Sequence, residues 1–363
     1  MRWIEPPPPS RAQGRVDLAR AALTRHPDDP ALWRALGGAI AATGRIEALA
    51  GHWSDAAARF PDHPFFSLAL AEARRRTGDR AGALAALAGA AGASGIERFP
   101  LLVRLGCWDE ARTIADASDA SLPGLLDYLA ERPGGAPPDA LLAVAEQLLA
   151  TRPGDAGALH HRARALALLG RTGEARETIG LDQFLRIDAI AIDPAGLRRE
   201  ILANDTLRAD PPGKSTHGGR QTEALVRPGD VATPALLGAI RAAVDQYAAQ
   251  LTGSHGFVRG RPQAAALRAW AVVYNRAGRQ AAHRHPAGWV SGVVHLGGGG
   301  PLLLGVPDRD GINPCGDTVT VAPEPGRLIL FPSATVHATA PAEGERIVVA
   351  FDVIPVPGIA PPL

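Results

Sequence analysis

Residues 270–296 have the sequence WAVVYNRAGRQAAHRHPAGWVSGVVHL, and this segment indicates most clearly how the C-terminal half of the chain folds. It begins apolar, presents His283 and His285 just before a proline, and continues as a β-prone run. Because alternate residues of a strand point to the same face, both imidazoles can be directed at one ion. Residues 326–352, GRLILFPSATVHATAPAEGERIVVAFD, add His337 after a second β-rich run. Two nearby imidazoles and a distant one, all on strands, predict a facial metal site with open positions.

Arg346 follows His337 by nine positions and begins another β-rich run at residues 347–353. The planar guanidinium fork of arginine binds both oxygens of a carboxylate. Arg346 is therefore a candidate partner for a carboxylate ligand beside the metal. The alternative is an ordinary surface ion pair with Glu343 or Glu345.

The motifs HRHPAGWVSGVVHL, LILFPSATVH and ERIVVAF resemble the Fe(II)/2-oxoglutarate-dependent oxygenases of the branch related to the prolyl 4-hydroxylases. The resemblance covers about the C-terminal half of the chain, from near Leu181. It implies that His283, His285 and His337 bind the iron and that Arg346 pairs with the far carboxylate of 2-oxoglutarate. It also implies Fe(II), 2-oxoglutarate and O₂ as cofactor and cosubstrates of a hydroxylase that releases succinate and CO₂.

The implied second ligand differs from that of most of this superfamily, which has a carboxylate where this chain has His285. A three-histidine site carries one more unit of positive charge. Two alternatives are therefore considered: a cupin-type three-histidine dioxygenase that does not use 2-oxoglutarate, and a non-catalytic scaffold with a degenerate barrel. Arg346 argues against the first alternative, and the intact set of three histidines argues against the second.

Further polar residues are expected to line or cover the cavity. The candidates to hydrogen-bond 2-oxoglutarate from the strands are Ser291, Tyr274 and Asn275. The segment at 211–222, PPGKSTHGGRQT, also resembles this branch and is interpreted as a loop. Its candidate lid or substrate contacts are His217, Arg220 and Gln221. His295 follows the ligand pair on the next strand, and we expect it to line the pocket or pack against it.

The chain is predicted to have two domains of an α + β class, because a helical pattern gives way to short β-prone runs. After residue 267 these runs alternate with Gly/Pro turns, which indicates a double-stranded β-helix, a jelly-roll or cupin-like barrel. Helical spacing at residues 194–207 and 234–251 predicts helices that flank the sheet. We expect a tail at 1–15, a helical domain at 16–180 and the oxygenase domain at 181–363.

The helical half has breaks that recur with a period of 34 residues. Pro27 and Pro61 are 34 apart, as are Gly44 and Gly78. This period, with a glycine between the helices and a proline at the end, is typical of tetratricopeptide (TPR) repeats. The clearest unit is residues 30–63, and four or five helix pairs are expected. Such repeats stack into a solenoid whose groove can bind a peptide or protein substrate; the alternative is a packing or homodimerisation module.

The composition excludes several classes of partner and location. The 363 residues include 38 Lys and Arg against 37 Asp and Glu, a net charge of +1, so we expect no nucleic acid and no anionic membrane partner. Two cysteines are too few for a disulfide framework. The N-terminal sequence MRWIEPPPPSR lacks the apolar stretch of a signal peptide, and no run is apolar enough to span a membrane. A cytoplasmic protein is expected.

Overall fold

The first part of the computed structural model is a succession of short helices. The structure describes residues 1–4, 9–119, 122 and 124–356. The bounds of these helices are α1 Pro9–Arg25, α2 Pro30–Ala42, α3 Ile46–Arg59, α4 Pro64–Thr77, α5 Arg80–Gly89, α6 Gly95–Leu105, α7 Trp108–Asp116, α8 Leu125–Glu131, α9 Pro138–Thr151, α10 Ala156–Leu168 and α11 Thr172–Ile179. The predicted helical N-terminal half is thereby confirmed.

The ends of these helices lie where the repeat pattern predicted them. Pro30 begins α2, and the Asp29 carboxylate accepts a hydrogen bond of 2.8 Å from the backbone N–H of Ala31, which caps the helix. Gly44 and Gly78, the two glycines 34 residues apart, have φ angles of 74° and 84°. A side chain is strained in this left-handed region, which accounts for glycine at both turns.

Small residues allow the paired helices to approach closely. A Cβ atom on Gly37 of α2 would lie 1.9 Å from the indole ring of Trp53 on α3, so glycine is required there. Ala71 of α4 is completely buried. Trp53 also packs against the rings of Phe65 and Phe66, at centroid distances of 5.8 and 6.1 Å. The first repeats therefore have an aromatic core.

The rest of the chain, together with residues 2–3, forms two mainly antiparallel sheets with flanking helices. Its helices are α12 Leu181–Phe184, α13 Pro194–Leu202, α14 Ala232–Gln250 and α15 Gly256–Arg259. The strands are β1 Arg2–Trp3, β2 Arg186–Ala189, β3 Arg208–Ala209, β4 Thr216–Gln221, β5 Ala264–Gln280, β6 Val290–Gly297, β7 Leu302–Leu304, β8 Val319–Val321, β9 Arg327–Pro332, β10 His337–Thr339 and β11 Arg346–Pro355. The larger sheet has the order β2-β9-β6-β11-β5-β4-β3, with β1 parallel to β5, and the smaller sheet is β10-β7-β8.

The two faces of the larger sheet differ in character. One face contributes Val294, Val349, Phe351 and their apolar neighbours to a core shared with residues of α13 and α14. The intervening residues of β11 point to the other face, since strand residues alternate. Arg346 and Asp352 both belong to this second series and are buried, with 1% and 6% of their surface exposed. The sheet therefore has one apolar face and one face with buried polar groups.

The predicted order of a helical half followed by antiparallel sheets is confirmed, and two details need correction. The described strands form two separate hydrogen-bonded sheets and do not close into a barrel. The predicted loop at 211–222 contains β4, which pairs with β5 from Thr216↔Gln280 to Gln221↔Val272. Its Gly218-Gly219 pair weakens the strand pattern and coincides with a shift of register, which is why sequence alone indicated a loop.

The chain divides into two compact units. One unit comprises Pro7–Gly135 and Pro211–Lys214; the other comprises Met1–Pro6, Ala136–Asp210 and Ser215–Leu363. Helices α9–α11 thus group with the sheets, and the predicted domain boundary at residues 180 and 181 stays a prediction. Within the part of the chain that the structure describes, no helix combines the length and apolar character that a bilayer crossing requires.

Candidate metal centre

Backbone pairing brings the three predicted histidines together. His283 and His337 form an isolated antiparallel bridge, with reciprocal N–H···O=C distances of 3.0 and 2.9 Å. The backbone N–H of His285 donates to the carbonyl of Ser333 at 3.2 Å. The segment after β5 is therefore held against the segment that leads into β10, although His283 and His337 are 54 positions apart in the sequence.

The imidazole rings converge within this frame. One ligand atom from each of His283, His285 and His337 lies within 4.8 Å of the others. Among the described residues, these three histidines form the group whose side chains are close enough to hold one metal ion. The ring centroids are 4.2 to 5.0 Å apart. Trp270 and Phe331 contact the cluster from the larger sheet, at 5.4 Å from His285 and 4.9 Å from His337.

Each of the three rings has a hydrogen bond at Nδ1. The acceptors are the Ala281 carbonyl for His283 at 2.8 Å, the Thr335 carbonyl for His337 at 3.1 Å, and the Asp352 carboxylate for His285 at 2.5 Å. Carbonyl and carboxylate oxygens only accept hydrogen bonds, so Nδ1 of a neutral ring carries the proton in all three cases. The lone pair is then at Nε2. This is the usual arrangement in metal-binding histidines, whose other ring nitrogen donates a hydrogen bond that fixes the ring.

The electrostatics of the cluster favour neutral rings at His283 and His337. Burial, together with the neighbouring His285, lowers the pKa of His283 to about 4. Burial also lowers the pKa of His337 well below its usual value, with further lowering by the other two histidines. Neutral imidazole is the form that binds a metal ion, so these two rings need not lose a proton at neutral pH before binding.

Arg346 lies at the start of β11 and is almost completely buried. Its register partner on β5 is Tyr274, and its guanidinium carbon lies 5.1 Å from the centre of that ring. Nε, Nη1 and Nη2 of Arg346 have no hydrogen-bond partner among the described residues. A buried guanidinium without an acceptor is costly, and an anion in the adjacent space would remove that cost.

His295 is the second buried polar group at this end of the sheet. Its surface is 0% exposed, and neither ring nitrogen has a partner within the described part of the chain. Burial, together with the charge of Arg346, lowers its pKa to about 3. His295 pairs with Val348, two residues beyond Arg346, so both side chains lie on the same face of the sheet.

Residues 268–352 match the family model described as "Putative 2OG-Fe(II) oxygenase". This segment matches a 2-oxoglutarate- and Fe(II)-dependent oxygenase family. The match spans less than a quarter of the chain and includes His283, His285, His337 and Arg346. The resemblance predicted from the motifs is confirmed for this segment, and the predicted Fe(II) and 2-oxoglutarate are the two molecules in the description of the family.

Several solved structures are similar to parts of the chain. A prolyl-4-hydroxylase from Pseudomonas putida has 18% identity over 50% of this chain and 98% of its own, with a TM-score of 0.35. A prolyl hydroxylase from Trichoplax adhaerens, in complex with a hypoxia inducible factor peptide fragment, has 14% identity over 52% and 92%, with a TM-score of 0.35. The Cut9–Hcn1 assembly of the APC/C has 17% identity over 47% and 36%, with a TM-score of 0.39. No curated protein matches the sequence.

The remaining predicted site residues lie in different surroundings. Tyr274 is fully buried beside Arg346, and burial raises its pKa to about 12. Asn275 is exposed and, as the next residue of β5, projects to the other face. Ser291 is buried, but it contacts His285 and Asp352 rather than the Arg346 end of the sheet.

The three residues proposed for the lid lie on β4. His217 is exposed and Arg220 is half-buried. Gln221 is buried, and its side-chain oxygen accepts a 2.9 Å hydrogen bond from the hydroxyl of Thr216. Gln221 is thus occupied within the sheet, and the lid role of this segment stays a prediction.

Asp352 is a residue of the site that the sequence interpretation missed. Its Oδ1 accepts hydrogen bonds from His285 and from the hydroxyl of Ser291, at 2.5 and 2.7 Å. The available signal was a single carboxylate inside the apolar run IVVAFDVI, six residues beyond Arg346 and therefore on the same strand face. A buried acid in such a run indicates a specific partner.

Proposed function

We propose that this chain is an Fe(II)- and 2-oxoglutarate-dependent oxygenase that hydroxylates a peptide or protein side chain. The observation that carries the proposal is the combination of three convergent histidines with a buried, unpaired Arg346 on the same sheet, inside the matched segment. A histidine cluster alone, or a buried arginine alone, is compatible with several functions. Together they provide one site for a metal ion and one for a carboxylate.

The three histidines would hold the iron through Nε2. Their Nδ1 atoms are already bound to two backbone carbonyls and one carboxylate, which fixes the orientation of the rings. A set of three ligands on one side leaves the remaining coordination positions for a cosubstrate and O₂. The residues present therefore fit a facial iron site.

Arg346 would bind the distal carboxylate of 2-oxoglutarate. The guanidinium provides a planar fork, and burial strengthens each charge-assisted hydrogen bond. His295 lies on the same face and offers a neutral N–H to the same anion. The alternative three-histidine dioxygenase gives no reason for a buried cation that lacks an acceptor among the described residues.

The bound iron and 2-oxoglutarate would supply the oxidation, in which a substrate C–H becomes C–OH while 2-oxoglutarate and O₂ yield succinate and CO₂. The chain would orient both molecules beside the half-buried Trp270 and the buried Phe331, which contact the histidine cluster. The helical repeats would bind a peptide or protein substrate, as stacked helix pairs present an extended surface. Packing or homodimerisation through the repeats is the alternative role.

Anaerobic titration tests this proposal directly. Addition of Fe(II) and 2-oxoglutarate to the metal-free chain should produce the visible absorption of a metal–keto-acid complex, and His337→Ala should abolish it. Arg346→Ala should retain iron but require about 10²–10³-fold more 2-oxoglutarate, because loss of one side of a buried ion pair costs about 3–5 kcal/mol. Arg346→Lys should be intermediate, since a point charge replaces the fork.

Succinate release against 2-oxoglutarate concentration, with iron content measured in parallel, separates the alternatives. An unchanged curve for Arg346→Ala would remove the carboxylate role and favour a three-histidine dioxygenase. A wild-type chain that binds iron but releases no succinate would favour the non-catalytic scaffold. Arg198→Ala, which removes an exposed partner of Glu345, is the matched control and should behave as wild type.

A further inference from the structure

We infer that Asp352 is a positioning residue that acts through His285 and supplies the negative charge missing from the three-histidine ligand set. This inference rests on the proposed function, because it assumes that His285 binds the metal. It adds a role for a residue that does not contact the ion itself. The carboxylate would not bind the metal directly, but would form a hydrogen bond with the imidazole that does.

The hydrogen-bond geometry supports this role. The Nδ1–H of His285 donates to Asp352 Oδ1 at 2.5 Å, and the hydroxyl of Ser291 donates to the same oxygen at 2.7 Å. The single hydroxyl proton of Ser291 is donated to Asp352. Ser333 must therefore be the donor in the 2.8 Å hydrogen bond between the two serine hydroxyls. Ser333 therefore donates to Ser291 and Ser291 donates to Asp352, so Asp352 Oδ1 accepts hydrogen bonds both from Ser291 and from His285.

The position of the carboxylate is set by the sheet. Ser291 on β6 pairs directly with Asp352 on β11, and on its other side it pairs with Phe331 on β9. Gly288 is needed for the close approach, since a Cβ atom there would lie 2.5 Å from Ser333 Oγ and 3.5 Å from Asp352 Cβ. The surrounding residues leave little room for the carboxylate to move.

The charge of the site supports the same conclusion. Three neutral imidazoles contribute no negative charge to a divalent ion, whereas two imidazoles and a carboxylate contribute one unit. Asp352 is 6% exposed, so its charge is weakly screened by solvent. Among the described residues near the cluster, Asp352 is the one whose carboxylate accepts a hydrogen bond from one of the three histidine rings. A carboxylate hydrogen-bonded to a metal-binding histidine fixes the ring and makes its other nitrogen more basic.

The test measures the affinity of the metal-free, full-length chain for Co(II) by calorimetry and by the visible absorption of the bound ion. Asp352→Asn keeps the shape and removes the charge, and we expect a Kd about 10–100-fold higher than that of wild type. Asp188→Asn removes one carboxylate from a surface pair with Arg186 and is the matched control, with an unchanged Kd expected. In a His285→Ala background, Asp352→Asn should change the Kd less than about threefold, because the imidazole through which Asp352 acts on the metal is absent.

A Kd for Asp352→Asn within about threefold of wild type would overturn the inference, as would an equal loss in both backgrounds. Ser291→Ala covers the case in which Asp352→Asn does not fold, which is checked by thermal unfolding without metal. It removes one hydrogen bond to the carboxylate and should raise the Kd about 3–10-fold, and no change would count against the role. A wild-type chain that does not bind Co(II) would instead refute the metal site and the proposed function.

Discussion

His295 illustrates how a single buried residue makes stability depend on pH. Its folded-state pKa is about 3 because of burial and of the charge of Arg346, whereas an unfolded histidine has a pKa of about 6.5. Between these values the unfolded chain binds a proton that the folded chain does not. Stability is therefore fully present above about pH 6.5 and falls as the pH decreases towards 3.

His295→Phe should reduce this loss. Between pH 7.5 and 5.5, one such histidine lowers the free energy of unfolding by about 1.4 kcal/mol, and the variant should lose about that much less than wild type. Urea unfolding at the two pH values measures the difference. The control is His217→Phe, at an exposed ring, which should retain the full wild-type difference. Equal pH dependence in wild type and His295→Phe would show that the ring is not held neutral in the folded chain.

At the level of secondary structure, the strand β6 depends on a glycine. A Cβ atom on Gly292 would lie 2.3 Å from Phe351 Cζ and 2.8 Å from the carbonyl oxygen of Ile329, on the two neighbouring strands. Gly292→Ala should therefore lower the free energy of unfolding by about 1–3 kcal/mol, because the packed core must shift.

The same substitution should have the opposite effect in a helix with free space. Gly238 lies in α14, and a Cβ atom there would have no described neighbour within 4 Å outside its own turn of helix. Gly238→Ala should raise the free energy of unfolding by about 0.5–1 kcal/mol, since alanine is the better helix former. Urea unfolding of both variants measures the pair. Destabilisation by Gly238→Ala, or none by Gly292→Ala, would contradict the packing described.

At the level of the whole molecule, two units should give two unfolding transitions in calorimetry. Co(II) should raise only the transition of the unit that contains the histidines, because a ligand stabilises the state that binds it. Arg164 of α10 pairs with Asp308 at 2.9 Å, and both side chains are 12% exposed. Arg164→Ala should therefore lower the metal-sensitive transition, by about 2–8 °C for a loss of about 1–2 kcal/mol.

The matched variant lies in the other unit. Arg98 of α6 forms an ion pair with Glu110, and Arg98→Ala should lower only the transition that Co(II) does not affect. If Arg164→Ala instead lowers the temperature of the metal-insensitive transition, α10 belongs to the same unit as the preceding helices. That result would agree with the domain boundary predicted at residues 180 and 181. The two variants together locate the division of the chain.

The amino-acid sequence by itself determined the features that depend on local periodicity. The spacing of 34 residues predicted the helix pairs, and the left-handed Gly44 and Gly78 lie at the predicted turns. The spacing of His283 and His285 predicted that their rings converge with that of His337. The prediction that both lie on a strand was wrong, since they lie between β5 and β6 and only His283 forms an isolated bridge. Short sequence motifs likewise predicted the segment that matches the oxygenase family.

Only the tertiary structure decided which distant groups meet. Asp352 lies 67 residues from His285 along the chain. Their hydrogen bond depends on the pairing of β6 with β11, which places Asp352 beside Ser291, and on the backbone hydrogen bond that holds His285 to Ser333. The strand β4 required β5 as a partner, since its glycines carry little strand preference of their own. Helix α10 has the local pattern of the other repeats, yet long-range contacts such as that of Arg164 with Asp308 place it with the sheets. Local preferences set the elements, whereas pairing and packing between distant residues set the surroundings of the site.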